Sequence, residues 1–111
     1  LTDIAEDTEL AAGKQRVEID GKSYIAETAL RADVALIHAD RADTFGNLGY
    51  LATARNFNPL MAMAAPRVIA EAERVLPLGQ LPPNEVHTPG PFVDDVVALG
   101  TLTEEYAVVR R

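Results

Sequence analysis

The chain contains no cysteine and no tryptophan, a single serine (Ser23) and only two histidines, His38 and His87. Without thiols there is neither a disulfide framework nor a thiolate metal site, and a reducing cytoplasm is the compartment expected. The lone serine has no flanking glycines of a nucleophile elbow, so no hydrolase triad can be assembled from these residues. Aromatics are 5 % of the chain, so Val, Leu, Ile and Ala must fill the interior, as in the aliphatic central strands of an α/β fold. Acidic side chains number 17 against 10 basic ones, a net charge of −7. Such a surface repels phosphate backbones and anionic lipid. The basic clusters, Lys14 with Arg16 and Arg110 with Arg111, have no interleaved aromatics, so no nucleic-acid partner is expected. No apolar run approaches the roughly 20 residues of a membrane-spanning helix, so no membrane association is expected either. Glycine-rich phosphate cradles of the GxGxxG and GxxxxGK kinds are missing as well.

What is present reads as one domain of 111 residues. Residues 1–13 are acidic and Ala-rich, a lead-in with at most a short helical turn. They carry acids where a signal peptide has Lys or Arg, and there is no initiator Met, so the chain is expected to start partway through a longer one. Arg16 to Ile25 is a hairpin pattern around Asp20-Gly21, the pair suited to a type I′ turn, with Val17 placed opposite Tyr24. Val34 to Ala39 is apolar without alternation, the pattern of a strand buried on both faces; Asp40 to Leu48 then reads as a loop at its carboxyl end. Asn58-Pro59 marks a helix start, with Asn58 as N-cap and Phe57, Leu60, Met61 and Ala64 on one apolar face. Val68 to Ala70 is a second strand, completing a strand–helix–strand crossover unit. Five of the seven prolines fall between Leu76 and Pro91, in a rigid loop across a surface. Phe92 to Leu99 is a last strand, with Asp94 and Asp95 marking an edge. Residues 100–111 form a C-terminal extension.

The candidate chemistry is thin. Asp40, Asp43 and Asn47 lack the alternate spacing of a calcium loop, and His38 in an apolar run reads as a hydrogen-bonded core or rim residue, so no metal site is assigned. The helix start beside Arg55 can bind an anion through free N–H groups; alternatively, Asn58 only caps the helix and Arg55 pairs with an acid. Adjacent carboxylates such as Asp94 and Asp95 face opposite sides of a strand and make no acid–base dyad.

Several strings carry a resemblance to a known family. They are Leu30 to Ile37 (LRADVALI), Ala42 to Leu48 (ADTFGNL), Ala54 to Pro59 (ARNFNP), Leu78 to Pro83 (LGQLPP) and His87 to Gly90 (HTPG). In this order, over about residues 13 to 98, the chain resembles the A (alpha) subunit of family I (3-oxoacid) CoA-transferases. The resemblance implies an open, mostly parallel sheet with crossover helices, preceded by the N-terminal hairpin. It implies a reaction that moves CoA from an acyl-CoA to a free carboxylic or 3-oxo acid through a glutamyl-CoA thioester, with coenzyme A thioester as substrate and no permanently bound cofactor. The reactive glutamate of the family lies in a Ser-Glu-Asn-Gly motif of the B subunit. This chain has no Glu-Asn pair, nor the Gly-Gly-Phe signature that opens the A subunit, so it is expected to be the C-terminal half of A. The implied partners are the N-terminal half of A, the B subunit, and the acyl-CoA and acid. No catalytic residue is assigned here; Asn47, Arg55, Asn56 and Asn58 are the candidates for the wall of the acyl or CoA cleft. Two other readings compete: a non-catalytic binding or regulatory module on the same fold, and a sugar-phosphate isomerase of related architecture.

Overall fold

The structure is a computed structural model that describes residues 1–4 and 6–99. The expected C-terminal extension lies outside the described residues. The chain divides into two compact units, Leu1–Leu30 and a second beginning at Arg31.

The first unit is built on the hairpin of β1 (Arg16–Ile19) and β2 (Lys22–Ile25), with Val17 opposite Tyr24. Asp20 and Gly21 take φ of 51° and 74°, the left-handed pair that a type I′ turn demands. The acidic lead-in folds back on this hairpin. Thr2 exchanges two backbone hydrogen bonds with the buried Ile25, Glu6 pairs with Arg16, and Asp3 pairs with Lys22. Between them, Glu9–Ala11 makes a single 3-10 turn whose preceding Thr8 hydroxyl accepts from the Leu10 N–H.

The second unit is a four-stranded mixed sheet in the order β4-β3-β5-β6. Its centre is β3 (Val34–Asp43), parallel to β5 (Arg67–Leu76) from Val34–Arg67 to Asp43–Leu76. β6 (Asp95–Ala98) is parallel to β5 on one edge, and the two-residue β4 (Leu48–Gly49) is antiparallel to β3 on the other. The helix α1 (Ala54–Met61) makes the crossover from β4 back to β5. None of the described helices is long and apolar enough to cross a membrane.

Three expectations are corrected. Both central strands run longer than their aliphatic cores: β3 continues through Asp40-Arg41 and β5 through Glu71 to Leu76. Charge does not stop β3 because Arg41 pairs with its neighbour Asp40 at 2.9 Å and with Glu85 at 2.6 Å. Second, β3 is not buried on both faces. Ala35, Ile37 and Ala39 point into the core, whereas Leu36, between them, is 76 % exposed. Third, α1 begins at Ala54 and Pro59 lies inside it, so Asn58 is not the N-cap. Pro59 lies in the second turn of this short helix, where it lacks the N–H that would reach the Arg55 carbonyl.

Asn58 does something else. Its Oδ1 accepts the His38 N–H at 3.1 Å and its Nδ2 donates to the Ala54 carbonyl at 2.9 Å. It thereby satisfies a strand-edge donor of β3 that has no β4 residue beside it. The helix approaches through small side chains. Ala62 is buried and Ala54 and Ala65 pack on the same core, which is lined by Ala35, Ala39, Ala70 and Ala72. The larger apolar residues of α1 point away: Phe57 is 69 % exposed, and Leu60 and Met61 are exposed too.

Replacing Asn58 with Ala or Leu leaves the His38 N–H without its partner, and should destabilise this unit by about 1–2 kcal/mol. Urea unfolding followed by far-UV circular dichroism measures it; an unchanged midpoint means that water replaces the amide at no cost.

Candidate functional site

In a parallel sheet the loops that follow the strands gather at one end. Here that end is organised by Asp43, the last residue of β3, which is only 2 % exposed. Its Oδ1 accepts from the backbone N–H groups of Phe45 and Asn47, at 2.9 and 3.0 Å, and its Oδ2 from the Asn47 side-chain amide at 2.8 Å. The Asn47 Oδ1 in turn accepts the Gly90 N–H at 2.9 Å. A carboxylate and an amide thus close the 43–47 turn and fasten it to the proline-rich segment. Gly90 has to be glycine: a Cβ there would lie 2.6 Å from the Phe45 carbonyl oxygen. Burial pushes the Asp43 carboxyl up, but the hydrogen bonds from Asn47, Phe45 and Gly46 outweigh it and hold the group below the ordinary 3.8. Asp43 and Asn47, weighed in the sequence for calcium, are therefore spent on each other and on the backbone.

The second cluster joins β4 to the segment after Glu85. Leu48 exchanges backbone hydrogen bonds with Thr88 and also accepts from the His87 N–H. Tyr50 follows, fully buried, with its hydroxyl 2.7 Å from Thr88 Oγ1 and its ring stacked on His87 at 5.9 Å between centroids. Its backbone N–H donates to His87 Nδ1 at 2.9 Å. Burial lowers the His87 pKa from the usual 6.5, and the nearby Arg55 and Arg41 charges lower it further against an opposing effect of Glu85. Burial raises the Tyr50 phenol above 10.0, opposed by its bond to Thr88.

A concavity of about 550 Å³ is lined by His38 and Asp40 of β3, Glu73 and Arg74 of β5, Leu51 and the first residue of α1, Ala54. Its polar side chains already have partners, Glu71 outside the lining among them. His38 Nδ1 lies 3.1 Å from Glu71 and Nε2 lies 3.6 Å from Glu73, while Arg74 reaches Asp40 at 3.3 Å. A charged, mixed-sign rim with two apolar residues suits a ligand that is polar at one end and aliphatic at the other.

The four candidate residues separate into two pairs. Asn47 and Asn58 have both ends of their amides engaged by their own chain. Arg55 and Asn56 stay exposed in the first turn of α1, directly after the cleft-lining Ala54. The structure supports neither expectation for that helix start. The N–H groups of Ala54, Arg55 and Asn56 already donate to the carbonyls of Leu51, Ala52 and Thr53, so an anion finds no free donor among them. Arg55 pairs not with an acid but with a carbonyl, its Nε 3.4 Å from the Tyr50 oxygen. What remains for ligand recognition is the guanidinium itself. Sequence reasoning missed the Tyr50–His87–Thr88 cluster; the HTPG string was visible, but its partner lies 37 residues upstream.

Residues 1–99 match the family model described as coenzyme A transferase. The A subunit of a succinyl-CoA:3-ketoacid coenzyme A transferase from Xanthomonas campestris pv. campestris is 55 % identical over 94 residues, which is 85 % of this chain and 39 % of that protein. The chain therefore spans well under half of this relative. Among solved structures, the decarboxylase AibA/AibB aligns over 87 % of this chain and 36 % of its own, with 37 % identity and a TM-score of 0.66. An acyl-CoA transferase from E. coli, in a thioester complex with CoA, aligns over 77 % of this chain and 18 % of its own, with 26 % identity and a TM-score of 0.65.

Because Asp43 is held below its ordinary pKa, the stability it contributes is present above about pH 3.8 and is lost as the pH falls through its folded-state value. Asp43→Ala should cost about 2–3 kcal/mol at pH 7 and flatten the stability curve in that acid window. Urea unfolding of both proteins between pH 7 and pH 3 checks it; parallel curves rule the bracket out.

Proposed function

This chain belongs to the coenzyme A transferase family, and we propose that it forms part of the A (alpha) component of a heteromer that moves CoA from an acyl-CoA to a carboxylic or 3-oxo acid. The observation that carries this is the family match across 99 residues, together with 55 % identity to the A component of a succinyl-CoA:3-ketoacid coenzyme A transferase. In this reading the reactive glutamate sits on a partner B subunit. It attacks the acyl-CoA, the first acid leaves as its carboxylate and CoA stays on the glutamate as a thioester; the second acid's carboxylate then takes CoA as its own acyl-CoA, and the glutamate carboxylate is restored. The E. coli neighbour, solved as a thioester complex with CoA, supports that route. The state of Asp43, the one buried carboxylate among the described residues, supports it too: saturated with donors, it has no nucleophilic role to play.

The open sheet face at Leu36 and the exposed Phe57 and Leu60 of α1 favour a larger assembly that covers them, supplied by the N-terminal half of A and by B. Within it, Arg55 and Asn56 contact the substrate from the residues that follow Ala54, the last of the 550 Å³ cleft's lining on α1, while Asn58 holds the Ala54 carbonyl and Asn47 fastens the 43–47 turn to Gly90. The coenzyme A thioester is substrate rather than resident cofactor, and the cytoplasmic setting expected from the sequence goes with this role. The fold alone does not decide the reaction, because the decarboxylase neighbour is the more similar of the two solved structures in sequence.

The assembled heteromer, incubated with acyl-CoA alone and then with hydroxylamine, should acquire its hydroxamate on the B polypeptide and none on this chain. Arg55→Ala with Asn56→Ala should lower kcat/KM for CoA exchange at least tenfold, about 1.4 kcal/mol. Modification of this chain, or release of carbon dioxide without CoA exchange, would contradict the proposal.

A further inference from the structure

Tyr50 is the hinge between the two features described above. On one side, the segment after Glu85 holds it at three points: its N–H on His87 Nδ1, its ring against the imidazole, and its hydroxyl on Thr88. On the other side, its carbonyl faces the Arg55 Nε. The direction of the first bond fixes the state of His87. A backbone N–H can only donate, so Nδ1 must carry the lone pair and any imidazole hydrogen resides on Nε2.

We propose that His87 is a positioning residue for substrate binding, which, in its neutral Nε2–H form, anchors the Tyr50 backbone and thereby sets the Arg55 guanidinium beside the cleft-lining Ala54. Resting on the cleft role assigned to Arg55 above, this extends that role to a group that touches no substrate. Protonating His87 would set an Nδ1–H against the Tyr50 N–H, two donors facing each other. The Tyr50 N–H must then withdraw, and the Tyr50 carbonyl, which lies across the same Cα in the next peptide unit and meets Arg55 Nε at 3.4 Å, shifts with the residue. The new imidazolium also stands among like charges, since Arg55 of α1 and Arg41 of β3 both act on it, with only Glu85 of the preceding turn opposing them. Its burial and these charges keep His87 neutral at physiological pH, so the anchor is in place in the working enzyme and released only in acid.

The sign follows from the lowered pKa. Above the usual 6.5 the anchor is intact; as the pH falls through the lower folded-state value, the bond is lost and substrate affinity falls with it. Chemistry on a partner's carboxylate is untouched, so the effect belongs in KM and not in kcat.

The test uses the assembled heteromer and steady-state kinetics with the acyl-CoA between about pH 5 and pH 8. His87→Leu, which has no acceptor, should raise KM roughly tenfold at neutral pH with kcat within about twofold, the size expected for one lost hydrogen bond. His87→Asn places Oδ1 where Nδ1 was, so most of that loss should be recovered, and because Asn does not titrate the acid rise in KM should vanish. If His87→Leu fails to assemble, the wild-type and His87→Asn pH profiles still decide. An acid limb that persists unchanged in His87→Asn overturns the inference, as does a loss confined to kcat. Arg55→Ala separates the two levels. If it leaves KM unaltered, the cleft role of Arg55 fails and the inference falls with it. If it raises KM while both His87 variants behave like wild type, only the positioning role is lost.

Discussion

The parallel pairing of β3 with β5 organises the second unit. Parallel neighbours cannot be joined by a tight turn, so the chain has to leave the end of β3, return along the sheet and start β5 at the level of Val34. That excursion creates β4, the Tyr50 corner and α1 in succession. It also brings the carboxyl ends of β3 and β5 together, where Asp43 pairs with Leu76 in the ladder and closes the turn that follows. The fastening of that turn to Gly90 and of β4 to Thr88 then holds the proline-rich segment in place. Geometry at the helix start descends from this one register.

Packing explains why the unit is lopsided. The covered face of the sheet is built largely from alanines, which let α1 come close while contributing little apolar area per residue. The opposite face carries Leu36 in the open, and α1 carries Phe57 and Leu60 outward. Burying a side chain of that size is worth about 1.5–3 kcal/mol, so these residues hold a substantial part of the stabilisation that a covering surface would release.

Polar side chains do structural work here that their composition hides. Asn47 and Asn58 each use both ends of the amide on backbone or carboxylate, one fastening a turn to a distant loop and the other a helix to a strand edge. Such residues resemble ligand contacts when read as letters near a cleft. In three dimensions both ends of each amide are engaged, whereas Asn56 is exposed and Arg55, also exposed, gives its Nε to the Tyr50 carbonyl.

Local chemistry was legible where a few neighbouring residues decide the outcome. Asp20-Gly21 determined the hairpin and its register because few other pairs tolerate two successive positive φ values, and the aliphatic runs marked where β3 and β5 begin. The ordered strings from LRADVALI to HTPG likewise pointed to the family. Tertiary structure alone decided how far the strands run, since Asp40-Arg41 stays in a strand only because Glu85, 44 residues away from Arg41, completes its charge pairing. It alone moved the helix start from Asn58 to Ala54, because the Asn58 amide was needed at His38 on another element. And it alone joined Tyr50 to His87, because a hydrogen bond between segments far apart in the chain leaves no periodicity or spacing in the sequence from which it could be read.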